Sequence, residues 1–444
     1  MNFFAFLAIL SALPSSLHAE PARGAAELEE RAAALSTARL YARAAELRRE
    51  VLALRPGARA AVALAEELMA AGAYDDALDV VAEAQRGVAE GARAAARGAA
   101  PPPPPFLAAA LLRLRAGLLD CRGDTREALA ELSQARAAEA RAVKAGAKPP
   151  PRAQQIAHAL TLVQLLRKAL LLDDEEGAVS GRADRTRLER DLKQASALLL
   201  KPSGPYELAQ QLPKHFVPGL RASPWHAAGA FPQLAGLHSL LVASRPALAA
   251  EVADLRRRGL LEREEECIHD AVAAADGVAG RRGRWGGAWT QLQVDGDTAA
   301  QAAGAVDDDG CRAEAPAACG LLRAARRFSP AVRVLRGSYS VVAARAHLHA
   351  HCGTTNAQLK MHVGLEVPKD LHTGLGCARI RVANETRRWE AGGVLFFDDS
   401  FEHEVWNDCT GGDEATRSVF QLVFAHPDLA PLVASGAARD PFEL

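Results

Sequence analysis

The amino-acid sequence predicts an α+β protein in two parts: an all-α helical-repeat domain over residues 25–200, then a β-rich domain over residues 205–435 of jelly-roll (double-stranded β-helix) type. Two changes of pattern predict it. Through the Ala-, Leu-, Glu- and Arg-rich first half, apolar residues recur at three- and four-residue spacing, the period of an amphipathic helix. From Trp285 onward the period falls to two, which is that of a half-buried strand. Proline-punctuated sequence separates the two regimes, first Lys201-Pro-Ser-Gly-Pro205 and then FVPGLRASPWH from Phe216 to His226.

In the first part, Gly72-Ala-Tyr-Asp-Asp-Ala77-Leu78 and Gly123-Asp-Thr-Arg-Glu-Ala128-Leu129 resemble each other. Each puts Gly in a turn and Ala-Leu on the packing face of the next helix, the signature of a tetratricopeptide-type hairpin. Their offset exceeds the usual ~34 residues, and the insert with Pro101 to Pro105 accounts for the excess. An Ala-rich bundle without repeat geometry is the alternative. Pro101–Pro105 and Pro149–Pro151 read as stiff linkers or loops. Helical sequence returns from Phe231 to about Ala275.

In the second part, Leu359 to Glu366 alternates, with Leu359, Met361, Val363 and Leu365 on one face and Lys360 and His362 on the other. Arg379-Ile-Arg-Val and Arg417 to Phe424 alternate as well. Gly393-Val-Leu-Phe-Phe397 is a buried run ending in Asp398-Asp-Ser, a turn that delivers His403 to the next strand. Short antiparallel strands of this kind suit a double sheet whose mouth binds a ligand.

Charge and cysteine usage bound the function. With 53 basic and 54 acidic residues the net charge is −1, which gives no reason to expect a nucleic-acid partner. The apolar run Phe3–Leu13 is shorter than the ~17–25 residues of a spanning helix and suits a secretory signal over residues 1–19, cleaved after Ala19 or retained as an anchor. No other stretch approaches a membrane span, so the expected location is the secretory pathway, in the endoplasmic reticulum lumen or outside the cell. In such an oxidising compartment Cys311 and Cys319 are the best-placed of the seven cysteines to form a bridge.

His351 opens the loop HCGTTN and His403 sits in FFDDSFEHEVWND, each within strand-like sequence. An iron centre that activates dioxygen commonly uses two histidines and a carboxylate on one face, with open positions opposite. Two residues after His351, where that carboxylate usually stands, the chain has Gly353. His347 and His349 alternate with His351, so another choice among the three remains open.

Residues 216–430 resemble the catalytic domain of aspartyl/asparaginyl β-hydroxylases. The resemblance is carried by FVPGLRASPWH, Tyr339-Ser340, HCGTTN, LKMHVGLEVP, RVANETRRWEAGGVLFFDDSFEHEVWND and the Arg417 strand ending in His426-Pro427. It implies an Fe(II)- and 2-oxoglutarate-dependent dioxygenase whose iron is held by only two histidines, His351 and His403, with glycine at the third position. It further implies that Arg417 and Ser340 hold the distal carboxylate of 2-oxoglutarate and that His362 and Lys360 lie near the other, Lys360 replacing an arginine. A bridge like Cys311–Cys319 and a preceding helical repeat domain are also implied. The implied substrate is an Asp or Asn side chain in a cysteine-rich secreted protein domain. The family has basic residues where this chain has Ser338 and Gln358, and the insert Thr410–Thr416 lengthens the loop before Arg417. Ser338 and Gln358 keep in play the same chemistry on a lipid or small molecule, and a non-catalytic helical-repeat binding protein with a degenerate barrel is a separate alternative.

Overall fold

A computed structural model describes residues 21–37, 41–175, 182–227, 229–263, 289–295, 311–328, 332–370, 373–410 and 413–442. The expected signal segment, residues 1–19, lies outside the described residues, as does the end of the helical stretch expected to reach Ala275. Two compact units result, one up to Leu198 and one from Leu199.

The first unit is helical: α1 (Pro21–Thr37), α2 (Tyr41–Leu54), α3 (Ala58–Ala70), α4 (Tyr74–Ala96), α5 (Leu107–Arg122), α6 (Thr125–Lys144), α7 (Arg152–Glu175) and α8 (Arg182–Leu199), whose last residue passes into the second unit. From α1 to α7 each helix described packs on the next. The two glycine turns are local necessities, because Gly72 (φ 73°) and Gly123 (φ 99°) adopt the left-handed conformation that ends a helix. Ala77 and Ala128, one turn further on, are fully buried and let neighbouring helices approach closely. Pro101–Pro105 lies in the loop between α4 and α5, and Pro149–Pro151 in the loop between α6 and α7.

The second unit holds two antiparallel sheets. Strands β1 (Glu262–Arg263), β2 (Trp289–Gln293), β3 (Val334–Val342), β10 (Arg417–Ala425), β5 (Gln358–Glu366) and β8 (Val394–Phe397) form the larger, in the spatial order 1-2-3-10-5-8. The smaller has β4 (His347–His351), β9 (His403–Asn407), β6 (Ala378–Val382) and β7 (Glu385–Arg388), in the order 4-9-6-7. Helices α9 (Ala235–Arg257) and α10 (Pro316–Phe328) cover one face of the larger sheet, and α11 (Leu429–Ala434) follows β10.

Alternation explains that division of faces. Leu359, Met361, Val363 and Leu365 of β5 join Phe420, Leu422 and Phe424 of β10 in one core with Leu237, Leu241, Leu248, Val252 and Leu255 of α9. Their sequence neighbours, Lys360 and His362 on β5 and Arg417 on β10, are left for the opposite face, toward the smaller sheet. Cys311 and Cys319 are bridged just ahead of and within α10, and a second bridge, Cys377–Cys409, ties the start of β6 to the loop after β9.

One carboxylate fastens helix to sheet. Glu251 of α9 accepts from the Ala317 and Ala318 amides at the start of α10 (2.6 and 3.0 Å) and from the Tyr339 hydroxyl of β3 (2.6 Å). It therefore caps α10 at its positive end while satisfying a buried phenol. Glu251→Ala should lower unfolding free energy by about 2–4 kcal/mol, from a lost cap and a stranded hydroxyl. Urea denaturation of the variant measures this.

Candidate active site

The site builds up from the pairing of β4 with β9. In that register His351 stands opposite His403, with ring centroids 4.2 Å apart. Opposite residues of an antiparallel pair point to the same side, so both imidazoles share one face. His347 does not join them. It pairs with Trp406, stacks on that ring at 5.1 Å, and its Nε2 lies 2.7 Å from a Glu404 oxygen. An irregularity in β4 between Leu348 and His351 breaks the even alternation and turns the two histidines to opposite faces.

The protonation state of His403 is set by its surroundings. Its Nδ1 donates to the Phe401 carbonyl at 2.9 Å, which leaves the Nε2 lone pair for another partner. Burial, and then the neighbouring His351, push its pKa down to about 3. A neutral ring oriented by a second-nitrogen hydrogen bond is the form a metal ligand needs. Among the described residues, no group of three or more His, Cys, Asp or Glu side chains could hold a metal. A metal on this pair would take its remaining ligands from outside the protein.

Gly353 has no room for a side chain. A Cβ at position 353 would run into the carboxylate of Asp399, whose backbone oxygen accepts from the Gly353 amide at 2.6 Å. Asp399 is itself buried, in the turn after β8. Burial would raise its pKa, but Lys360, 2.8 Å away, and then His403 outweigh burial and hold it below the usual carboxylate range. Its Oδ1 has no hydrogen-bond partner. Asp398, one residue earlier, bonds the Ser400 amide and Gln211, and burial raises its pKa to about 8. The sequence offered one signal for Asp399: two adjacent acids closing an apolar run.

Across the site lie the groups of the larger sheet. Arg417 is 2% exposed, with its guanidinium carbon 4.5 Å from the Trp389 ring, and among the described residues no carboxylate pairs with it. Burial alone pushes its pKa down to about 9, so it remains a cation at neutral pH. Its contact to the Ser340 backbone oxygen is long, 3.5 Å, and its Nε has no partner. His362 lies parallel to Trp389 and edge-on to Phe397, and both of its ring nitrogens are buried without a partner. Burial, and then Lys360, Arg417 and His403, drive its pKa well below the usual value, so His362 is a neutral ring close to two cations and to His403. The Ser340 hydroxyl accepts from Trp289 Nε1 at 2.9 Å. Orphaned buried donors of this kind call for a ligand that satisfies them. Trp389 and Trp289, which hold Arg417 and Ser340, were not singled out by the sequence patterns.

The buried ion pair yields a test. Lys360→Met strands the Asp399 carboxylate and should cost about 3–5 kcal/mol at pH 7. In the parent chain the depressed Asp399 pKa stabilises the fold above about pH 4, and that contribution is lost as pH falls through the folded value. In the variant the carboxyl takes up its proton at higher pH, so the deficit should shrink on acidification. Denaturation curves at pH 7 and pH 5 measure both effects.

Comparison with known proteins bears on the same region. Residues 259–427 match the family described as aspartyl/asparaginyl beta-hydroxylase. The mouse protein named aspartyl/asparaginyl beta-hydroxylase is 43% identical over 130 residues, which is 29% of this chain and 16% of the mouse protein. Its human counterpart is 42% identical over 127 residues, 28% of this chain and 15% of that protein. A Rhizobium tropici protein named ornithine lipid ester-linked acyl 2-hydroxylase is 37% identical over 93 residues, 21% of this chain and 30% of that one. Each match thus spans well under half of the relative's length. Over residues 259–427 this chain is therefore similar to the aspartyl/asparaginyl β-hydroxylase family.

Proposed function

We propose that this chain is an iron(II)- and 2-oxoglutarate-dependent dioxygenase that hydroxylates the β-carbon of Asp or Asn side chains in secreted or lumenal protein domains. The observation that carries the reading is the pairing of two imidazoles with a buried arginine that has no carboxylate partner among the described residues. His351 and His403 fit a metal ion: His403 is neutral, oriented, and keeps Nε2 available. Bound iron with 2-oxoglutarate would supply the oxidising power for inserting one oxygen atom of dioxygen into a C–H bond. Arg417 would take the distal carboxylate of the diacid with a planar fork, assisted by Ser340. His362 and Lys360 would meet the other end, with Lys360 already sharing its charge with Asp399. Trp389 and Phe397 keep that part of the site dry.

The same reading gives the second unit a double-stranded β-helix architecture and the first a tetratricopeptide-like one that helps grip a polypeptide substrate. It places the chain in the secretory pathway, behind the segment 1–19 as signal or anchor. The bridges Cys311–Cys319 and Cys377–Cys409 suit an oxidising compartment, and among the described residues no helix is long and apolar enough to cross a membrane. Oxygenase chemistry on a lipid is the second reading. It is favoured by the likeness to a protein named as a lipid acyl hydroxylase and by the neutral Ser338 and Gln358.

His403→Ala should abolish iron-dependent formation of succinate from 2-oxoglutarate. Arg417→Met should instead raise the 2-oxoglutarate KM by roughly 10–100-fold, the worth of charge-assisted hydrogen bonds of about 1.5–3 kcal/mol. Unchanged turnover in the first variant would overturn the metal assignment.

A further inference from the structure

We infer that Arg336 is the residue with which this chain reads the carboxylate of its substrate, so that aspartate is preferred to asparagine at the modified position. The inference rests on the hydroxylase reading and names its substrate side.

The site-facing side of the larger sheet carries three cations, on β3, β5 and β10, and they are in different states. Arg417 is fully buried against Trp389. Lys360 is neutralised by Asp399 at 2.8 Å. Arg336 is half-buried on β3, and among the described residues no carboxylate forms an ion pair with it. Its hydrogen bond goes to a neutral amide, from Nη1 to Gln358 Oε1 at 3.4 Å.

Register puts Arg336 in the right place. Arg336 stands opposite Val423, and Val423 opposite Lys360, so the three form one row across β3, β10 and β5 on the same face. Two strand spacings separate the ends of that row, roughly 10 Å between backbones. Lys360 reaches Asp399 beside the histidine pair, and the charge of Arg336 is also felt at Asp399. The next row inward is Ser338, Gln421 and His362. Arg336 is thus a cation on the outer side of a row whose other cation is already occupied. Ser338 and Gln358, its neighbours on this face, carry no charge that competes with it or replaces it.

A half-dehydrated guanidinium favours a carboxylate over an amide. The carboxylate offers two acceptors to the planar fork, whereas an amide offers one acceptor and turns an N–H₂ donor toward the remaining donors. A lysine there would keep the charge and lose the fork.

The test uses two synthetic peptides that differ only in Asp or Asn at the target position, titrated into the purified full chain with and without manganese(II) and 2-oxoglutarate. The parent chain should bind the Asp peptide at least about tenfold more tightly. Arg336→Gln should bring the two affinities to within about twofold, and Arg336→Lys should keep part of the preference. Equal affinities in the parent, binding of neither peptide, or a preference that survives Arg336→Gln would overturn the assignment. Conversion of 2-oxoglutarate is followed separately. If it is absent while Arg336→Gln still abolishes the preference, the hydroxylase reading fails and the carboxylate contact stands.

Discussion

The buried ion pair between Lys360 and Asp399 is the constraint from which the site follows. Asp399 does three things at once: its carboxylate meets a strand of the larger sheet, its backbone oxygen holds the Gly353 amide beyond β4, and the turn it belongs to leads into β9. Both histidine-bearing strands are thus anchored to one residue. A buried carboxylate is tolerated only with a partner, so the lysine is what makes this junction affordable. The same carboxylate fills the space a side chain at position 353 would need. A side chain at position 353 is excluded by packing.

The larger sheet divides its labour by face. One side is closed by α9 and α10, with aliphatic and aromatic side chains from β5 and β10. The other carries the polar groups in register. Trp389 matters on this second side because it offers a flat surface to both Arg417 and His362. A cation over an aromatic face loses less on leaving water than one among aliphatic groups. Burial lowers the pKa of Arg417 to about 9, which still leaves it charged at neutral pH.

Much of the frame was legible in the sequence because period and composition report it directly. The shift from helical to alternating pattern, the two faces of β5, and the glycines that end α3 and α5 were all local signals. A bridge between Cys311 and Cys319 was legible too, since little chain separates them. The rest depended on tertiary placement. Three alternating histidines looked equivalent until the irregularity in β4 sent His347 to Glu404 and His351 to His403. Asp399 read as a turn residue, and only its burial beside Lys360 shows its part. Arg336 was invisible because its row depends on the register of three strands distant in sequence.

The Cys377–Cys409 bridge has a practical consequence for anyone producing this protein. It staples the beginning of β6 to the connection that runs on toward Arg417, and Asn407 braces the same connection through the Ala415 carbonyl. Material made in a reducing cytosol would lack the staple, so a loosened connection ahead of Arg417 in such a preparation would report the thiol state of a loop, with the side chains of the pocket unaltered.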